Sequence, residues 1–523
     1  MMAKQRYPIG IQTFSEIRKG EYVYADKTDL VYQMTHDFKY VFLSRPRRFG
    51  KSLLTSTLDS YFRGQKDLFD GLAIAGMETE WQEHPVLHFD LSDIKQGTVE
   101  GFNAVISSDL RWMEEEYGCQ KTSDDFTVRL TELVKHVVKT TGKQAVVLID
   151  EYDAPLLTVL HDPQRLTVMR EVLQAFYSPL KKLDTYLRFV FITGITKFSQ
   201  LSIFSQLNNL ANISMLPDYA TVCGITQQEL ETNFKEGITV LADKEQTTDE
   251  EILREMKSRY DGYHFARESD GVYNPFSVLS AFQTKELDNY WFATGTPTFL
   301  VNMLRKYHTD LTTLDGSIAD ASDFDKSTEN MQDVLPLFYQ SGYLTIKGYK
   351  RMMKRYILGY PNQEVKAGLM ECLIPSYVNT TTRLAGCACA DICEALLGDD
   401  VDQALSAARS FFAGIPYQEG TLKDAPAAEG HFTAMLYVMF SFLNRYVYSQ
   451  VRTAKGRMDI LVMTDTTVFV MELKMDGSVD EALQQINSQG YAIPYEADGR
   501  KVIKVGINFS SEERTITDWK VGD

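Results

Sequence analysis

Chemistry is most concentrated in Arg45-Pro46-Arg47-Arg48-Phe49-Gly50-Lys51-Ser52, which follows the apolar run Tyr40-Val41-Phe42-Leu43. The order reads as a buried strand, a tight basic loop and the first turn of a helix. A loop of this kind presents backbone N–H groups and a helix N-terminus to a phosphate. Lys51 then reaches the terminal phosphates of a nucleotide, and the Ser52 hydroxyl sits on Mg²⁺. Arg47, Arg48, Phe49 and Gly50 are the other loop residues expected to contact the nucleotide. The usual pattern has Gly six residues before the Lys, where this chain has Arg45.

A matching pair of carboxylates follows about 100 residues later. Ala145-Val146-Val147-Leu148-Ile149 is an uninterrupted apolar run ending in Asp150-Glu151-Tyr152-Asp153. Such a run fits a parallel strand buried on both faces, and ligands bind at the C-terminal ends of such strands. Asp150 is expected in the Mg²⁺ shell, with Glu151 as the general base that activates water. A further apolar strand, Leu187–Ile192, ends in Thr193-Gly194-Ile195-Thr196. Thr193 or Thr196 would sense the γ-phosphate. The plain alternative for each carboxylate is an acidic turn at a strand end.

A second centre lies near the C-terminus. The helical stripe Phe432, Met435, Leu436, Met439, Phe440 and Leu443 has Glu429 three residues ahead, on its inward side. Strands are expected at Tyr446–Arg452, Met458–Met463 and Val468–Lys474. Period two places Glu472 and Lys474 on one face together with Val468 and Val470. Asp459 begins the neighbouring strand's apolar run. Charged groups converging in an apolar sheet are costly unless they share a divalent ion. The expected chemistry is metal-assisted phosphodiester hydrolysis. Asp459, Glu472 and the Leu473 carbonyl bind Mg²⁺, Glu429 completes the outer shell, and Lys474 orients water. The plain alternative is a Glu472–Lys474 surface ion pair.

The elements that position these groups alternate strand and helix from about residue 20 to 215. Helices are expected at Lys51–Phe62, Val99–Tyr117 and Phe126–Thr140. The expected class is multidomain α/β. Its parts are a three-layer α/β domain at 1–215, a helical lid at 216–295, a mainly helical linker region at 296–404, and an α/β domain at 405–523. A chain of 523 residues is too long for one core. A short strand is expected through Val23, with a helix from Lys27. That segment either packs near a base and ribose or simply covers the sheet. The aromatics of Tyr260–Phe265, Tyr273–Phe276 and Tyr290–Phe292 fit either stacking on single-stranded nucleic acid or, better, packing of the lid.

The net charge of −17 argues against bulk non-specific nucleic-acid binding, though not against a local basic surface. Residues 429–523 carry 10 Lys and Arg against 13 Asp and Glu, so that block needs help from elsewhere to hold a long duplex. The N-terminus lacks a signal-peptide core and no apolar run has membrane-spanning length, so a cytoplasmic location with no membrane partner is expected. Cys387, Cys389 and Cys393 lack a fourth zinc ligand and read as packing residues.

The chain resembles a bacterial family that fuses an AAA-ATPase-like domain to a nuclease of the PD-(D/E)XK superfamily. At the front the resemblance rests on Tyr24-Ala25-Asp26-Lys27-Thr28, the Arg45–Ser52 loop, Asp150–Asp153 and Thr193–Thr196. At the back it rests on Gly456–Asp459, Glu472-Leu473-Lys474, Gln485-Ile486 and Tyr491. The Arg-rich loop is typical of that family. The resemblance implies a P-loop ATPase fold for the first domain, 1–215, and a restriction-endonuclease-like fold for the last, 405–523. It implies ATP binding at Lys51 and Ser52, hydrolysis at Asp150 and Glu151, and a nuclease core of Glu429, Asp459, Glu472, Lys474 and Gln485. Arg47, Arg48 and Arg188 are candidates for an arginine finger. The expected function is an ATP- and Mg²⁺-dependent nuclease acting on nucleic acid, DNA foremost, with nucleotide state gating cleavage and homo-oligomers allowed. The alternative is an ATP-switched regulator that binds nucleic acid or protein without cleaving.

Overall fold

Every residue of the apolar run before the basic loop is buried, and the run forms β1 (Tyr40–Ser44). It is the second strand in from one edge of a five-stranded parallel sheet. In the computed structural model all residues are described except 1–4, 95–96, 161, 197–208, 295–302, 305–310, 326–333, 379–381, 414–432, 434, 441–446, 454, 498, 514 and 523. The other strands are β2 (Val86–Asp90), β3 (Ala145–Asp150), β4 (Leu187–Gly194) and β5 (Ala211–Asn212). Their order is β2-β3-β4-β1-β5. Helices on both faces make three layers. On one face the helices Val99–Glu116, Phe126–Thr141 and Pro163–Lys182 bury Phe102, Leu110, Leu133 and Phe176 against Phe42, Phe89 and Val147. On the other face the helix Lys51–Phe62 sets Phe62 against Phe189, ring centroids 5.3 Å apart.

This order has one chemical consequence. β4 lies between β1 and β3, with Leu43 beside Thr193 and Ile149 beside Ile192. The end of β4 therefore sits between the basic loop and the Asp150–Glu151 carboxylates.

The chain divides into two compact units, Met1–Trp291 with Ile318–Asn362, and Phe292–Ser317 with Gln363–Asp523. The first unit also holds an aromatic-rich cluster of helices. Tyr260, Tyr273 and Phe234 are buried there beside Leu241 and Met256, which is the packing role expected of those aromatics. A small sheet not anticipated from the sequence, β6 (Ser317–Asp320), β7 (Thr345–Lys350) and β8 (Arg355–Gly359), has the order β6-β8-β7. Tyr22–Asp26 forms no strand, contrary to the expectation at Val23. Instead the Asp26 carboxylate accepts the Thr28 and Ala73 N–H groups, and Val23 and Ala25 pack against the helical cluster that holds Phe234 and Tyr273.

The second unit contains β9 (Val447–Arg452), β10 (Arg457–Met463), β11 (Thr467–Met475), β12 (Lys501–Ser510) and β13 (Thr515–Gly522), in the order β13-β12-β11-β10-β9. β11 and β12 are parallel, and the other pairs are antiparallel. The parallel pair needs a crossover, supplied by the helix Val479–Gln489. Its N-terminus is closed by a capping box between Ser478 and Glu481. Leu483 and Ile486 of this helix pack on Val468, Val470 and Tyr491.

Candidate active sites

In the first unit the loop after β1 is wound by left-handed residues at Arg48 (φ 65°) and Gly50 (φ 90°). Such turns direct successive N–H groups toward one concavity. Gly tolerates this conformation freely and Arg does not, so Arg48 must be held by other contacts. Its guanidinium stacks over Phe276 at 3.7 Å. Phe49 is buried and meets the rings of Tyr263 and Phe265 edge-on, at 4.6 and 5.3 Å. The Arg47 carbonyl accepts the Trp291 indole N–H at 3.4 Å. The side chains of Phe49 and Arg48 are thus turned into the aromatic cluster. Any phosphate contact from Phe49 comes from its backbone.

Arg45, the residue in place of the usual glycine, is buried as well. It donates to the carbonyls of Ser44 (2.9 Å), Ser214 (2.8 Å) and Tyr219 (2.9 Å) and lies over the Phe265 ring at 4.1 Å. Burial lowers its pKa to about 10. The residue that breaks the familiar pattern is therefore a brace beneath the loop. Arg45→Met leaves three buried carbonyls short of a donor, each costing about 1–3 kcal/mol, partly offset by removal of a buried charge. The expected net loss is about 2–4 kcal/mol of stability in the first unit, read as a lowered unfolding midpoint. An unchanged midpoint contradicts the brace.

The groups expected to do chemistry converge. Lys51 is only 3% exposed. Its Nζ donates to the Pro46 carbonyl and pairs with Glu151, both at 3.2 Å. The Ser52 hydroxyl bonds the Asp150 carboxylate. Burial, and then the neighbouring Glu151 charge, raise Asp150 to about 6, against the opposing pull of Ser52 and Lys51. Glu151 sits in the left-handed region at φ 49°, a strained placement of the kind stored at functional sites.

Thr193 and Thr196 have different surroundings. Thr196 is tied up by Asp153, which accepts its N–H at 2.7 Å and its hydroxyl at 2.5 Å. Thr193 is fully buried and its Oγ1 has no hydrogen-bond partner among the described residues. The free hydroxyl is the one at the strand end between loop and carboxylates. Asp153 is a residue the sequence reading left without a role. With Tyr152, whose hydroxyl donates to the Thr196 carbonyl at 2.8 Å, it pins the ends of β3 and β4 together. The approach is so close that a Cβ on Gly194 would meet Asp153 Oδ1 at 2.4 Å. The matched spacing Asp150…Asp153 and Thr193…Thr196 was the available signal. Arg188 is placed far from this chemistry. It lies at the start of β4 and donates to the Thr35 carbonyl at 3.2 Å, roughly 16 Å of strand away from Thr193.

In the second unit Asp459 stands one step beyond the Ile460–Met471 pair, opposite Glu472. Its Oδ2 accepts the Leu473 N–H at 2.9 Å. Glu472 is 2% exposed. Its Oε1 lies 3.5 Å from Lys474 Nζ, while Oε2 is buried with no hydrogen-bond partner among the described residues. Burial first, and then the Asp459 charge, push Glu472 up to about 8. Lys474 donates to Gln485 Oε1 at 2.6 Å. Gln485 in turn approaches the Tyr491 hydroxyl at 3.5 Å, and that hydroxyl donates to the Arg457 carbonyl at 3.0 Å. The helix Val479–Gln489 thus carries Gln485 to the lysine. An exposed surface ion pair is excluded, because β11 is buried through Leu473 on both faces. Glu429 lies outside the described residues.

The donor set fits a hard divalent cation. Two carboxylates face each other, one oxygen is buried and orphaned, and the arrangement is costly as it stands. Among the described residues no group of three or more His, Cys, Asp or Glu side chains is placed to hold a metal, so Asp459 and Glu472 form a two-carboxylate set. Of the three clustered cysteines, the Cys387 side chain lies outside the described residues. Cys389 and Cys393 are buried, and burial pushes both thiols up to about 12. No described helix is long and apolar enough to cross a membrane.

Known proteins agree with both halves. Residues 8–204 match the model of a predicted AAA-ATPase, and residues 427–519 match a PD-(D/E)XK nuclease superfamily model. An uncharacterized protein encoded in the vnfD 5' region of Azotobacter chroococcum mcd 1 is 34% identical over 530 residues, covering 99% of both chains. Among solved structures, the Aeropyrum pernix ORC2 protein in ADPNP–ADP complexes aligns with 68% of this chain and 95% of its own. That alignment has 10% identity and a TM-score of 0.19, which carries no structural argument. With that full-length relative and both domain matches in place, the chain belongs to the family that joins a predicted AAA-ATPase domain to a C-terminal PD-(D/E)XK nuclease-superfamily domain.

Proposed function

We propose that the protein binds and hydrolyses ATP in its first unit and cleaves phosphodiester bonds in its second, with nucleotide state gating cleavage. The observation that carries the cleavage reading is Glu472: buried, unpartnered at Oε2, and set against Asp459 and Lys474.

Asp459 and Glu472 would hold Mg²⁺, with Glu429 and the Leu473 carbonyl as the remaining proposed donors. Bound there, the ion supplies a Lewis acid and a water of lowered pKa. Lys474 keeps its ammonium fixed between Gln485 and Glu472, where it can orient a water and offset charge on a scissile phosphate. In the first unit Lys51 offers its charge to phosphate oxygens and Ser52 with Asp150 would hold Mg²⁺. Glu151 is positioned to take a proton from water, and the Thr193 hydroxyl to donate to the γ-phosphate.

The test is a cleavage assay on single- and double-stranded DNA and RNA, crossing ATP with Mg²⁺ and with EDTA. Products are expected with Mg²⁺ and absent in EDTA, at a rate that changes when ATP is added. Nucleotide turnover without cleavage of any substrate removes the nuclease reading in favour of an ATP-switched binding protein. Equal cleavage with and without ATP removes the gate alone.

A further inference from the structure

We infer that the β7–β8 hairpin of the first unit is a wedge that engages duplex nucleic acid. The strands pair antiparallel out to Lys350 and Arg355. The tip is a short 3₁₀ turn, Arg351–Met353, closed by Lys354 in the left-handed region at φ 50°. Met352 is 100% exposed and Met353 69%. Two neighbouring methionines held in water at the end of a hairpin contribute nothing to a core. Methionine in such places serves adaptable contact surfaces.

The charge around them is equally local. From Thr345 to Asn362 the sequence has Lys347, Lys350, Arg351, Lys354 and Arg355 and no acidic residue, in a chain of net charge −17. Arg351 pairs with Glu268 at 2.5 Å and Arg355 with Asp320. Lys350 and Lys354 are exposed and flank the methionines. The base below the tip is stiff. Tyr349 and Tyr356 face each other at 4.9 Å, Phe324 meets Tyr356 at 4.8 Å, and Arg267 covers Tyr349 at 4.4 Å. A rigid ribbon thus carries an apolar point between two exposed lysines.

Duplex nucleic acid fits this chemistry best. A two-stranded ribbon fits a groove, lysines beside it neutralise phosphates, and an apolar side chain at the tip can part a base step. Two methionines are too small a patch for a stable protein interface, which buries about 1,000 Å² or more. An anionic lipid surface offers similar charge and is the competing occupant that the experiment must separate. The inference does not rest on cleavage, because its test reads binding in EDTA.

Full-length protein is titrated against a fluorescein-labelled DNA duplex in EDTA, over about 50–200 mM salt, by fluorescence anisotropy. Lys350→Ala/Lys354→Ala is expected to weaken binding more than tenfold at low salt. It should also reduce the slope of log K against log salt by about 1.8, two phosphate contacts at about 0.9 each. Met352→Ala/Met353→Ala is expected to weaken binding about tenfold with the slope unchanged, and to reduce duplex bending seen by end-to-end energy transfer. Both pairs are exposed, so unfolding midpoints should match wild type. Wild-type affinity in either double variant overturns the wedge. So does binding to phosphatidylserine vesicles with no binding to the duplex.

Discussion

Asp459→Asn should abolish cleavage, lowering it by about 10³-fold or more, while the protein stays folded. The size follows from the role. A group that holds the cation and meets charge developing in the transition state is typically worth two to three orders of magnitude or more. The fold survives because asparagine keeps the shape of aspartate and an oxygen that can accept the Leu473 N–H now taken at 2.9 Å. The substitution also removes a like charge that helps hold Glu472 at about 8. Glu472 then ionises more readily, and the metal-free unfolding midpoint should stay level or rise. Three measurements check this: product formation with Mg²⁺, calorimetric titration of Mg²⁺ or Mn²⁺, and thermal unfolding. Identical products from wild type and variant sink the assignment. A collapsed midpoint would mean that Asp459 is structural.

The second large effect is expected at Lys51. Lys51→Met should cut ATP binding and turnover by at least about 100-fold. Methionine fills the space of the lysine stem, which matters because the residue is buried. Glu151→Gln should behave differently. Turnover should fall about 10²–10⁴-fold, the usual contribution of a general base, while ATP still raises the unfolding midpoint. The split separates binding from hydrolysis, since Lys51 and Glu151 now pair at 3.2 Å and a merely structural pair would lose both properties together. Retained nucleotide binding in Lys51→Met contradicts the phosphate role. The same two variants decide whether the sites communicate. If both cleave nucleic acid as wild type does at every ATP concentration, the gate is absent and the two chemistries run independently.

Much of this was legible before any coordinates, for a physical reason. β1, β3, β4 and β11 are short, largely apolar runs whose chemistry-bearing groups, Ser44, Asp150, Thr193 and Glu472 with Lys474, gather toward the C-terminal end. Burial on both faces leaves a parallel strand little other composition. Their ends therefore mark the sites. The helix Lys51–Phe62 was legible from its stripe of leucines for the same reason. What the sequence hid was tertiary. Nothing local shows that Arg45 reaches carbonyls 169 and 174 residues away. Nor does anything local show that Arg48, read as a nucleotide contact, is held over Phe276. Thr193 and Thr196 are alike in sequence, and only the position of Asp153 separates them. β7 was missed because Thr345-Ile346-Lys347-Gly348-Tyr349-Lys350 mixes a glycine and two lysines into a short run. Its strand character comes from pairing with β8 and from aromatic contacts across the ribbon, not from an apolar face.

The brace beneath the basic loop also sets where the chain can be cut. Arg45 hangs on Ser214 and Tyr219, Phe49 lies between Tyr263 and Phe265, and Pro46 presses so close to Gly342 that a Cβ there would meet its ring carbons at 2.6–2.7 Å. A fragment ended at residue 204, where the ATPase family match stops, strands a buried cation and a bare phenylalanine under the loop. Recombination that swaps the loop without its aromatic seat does the same. The segment that must fold together around the loop is therefore longer than the matched one: it includes residues 214–276 and reaches at least to Gly342.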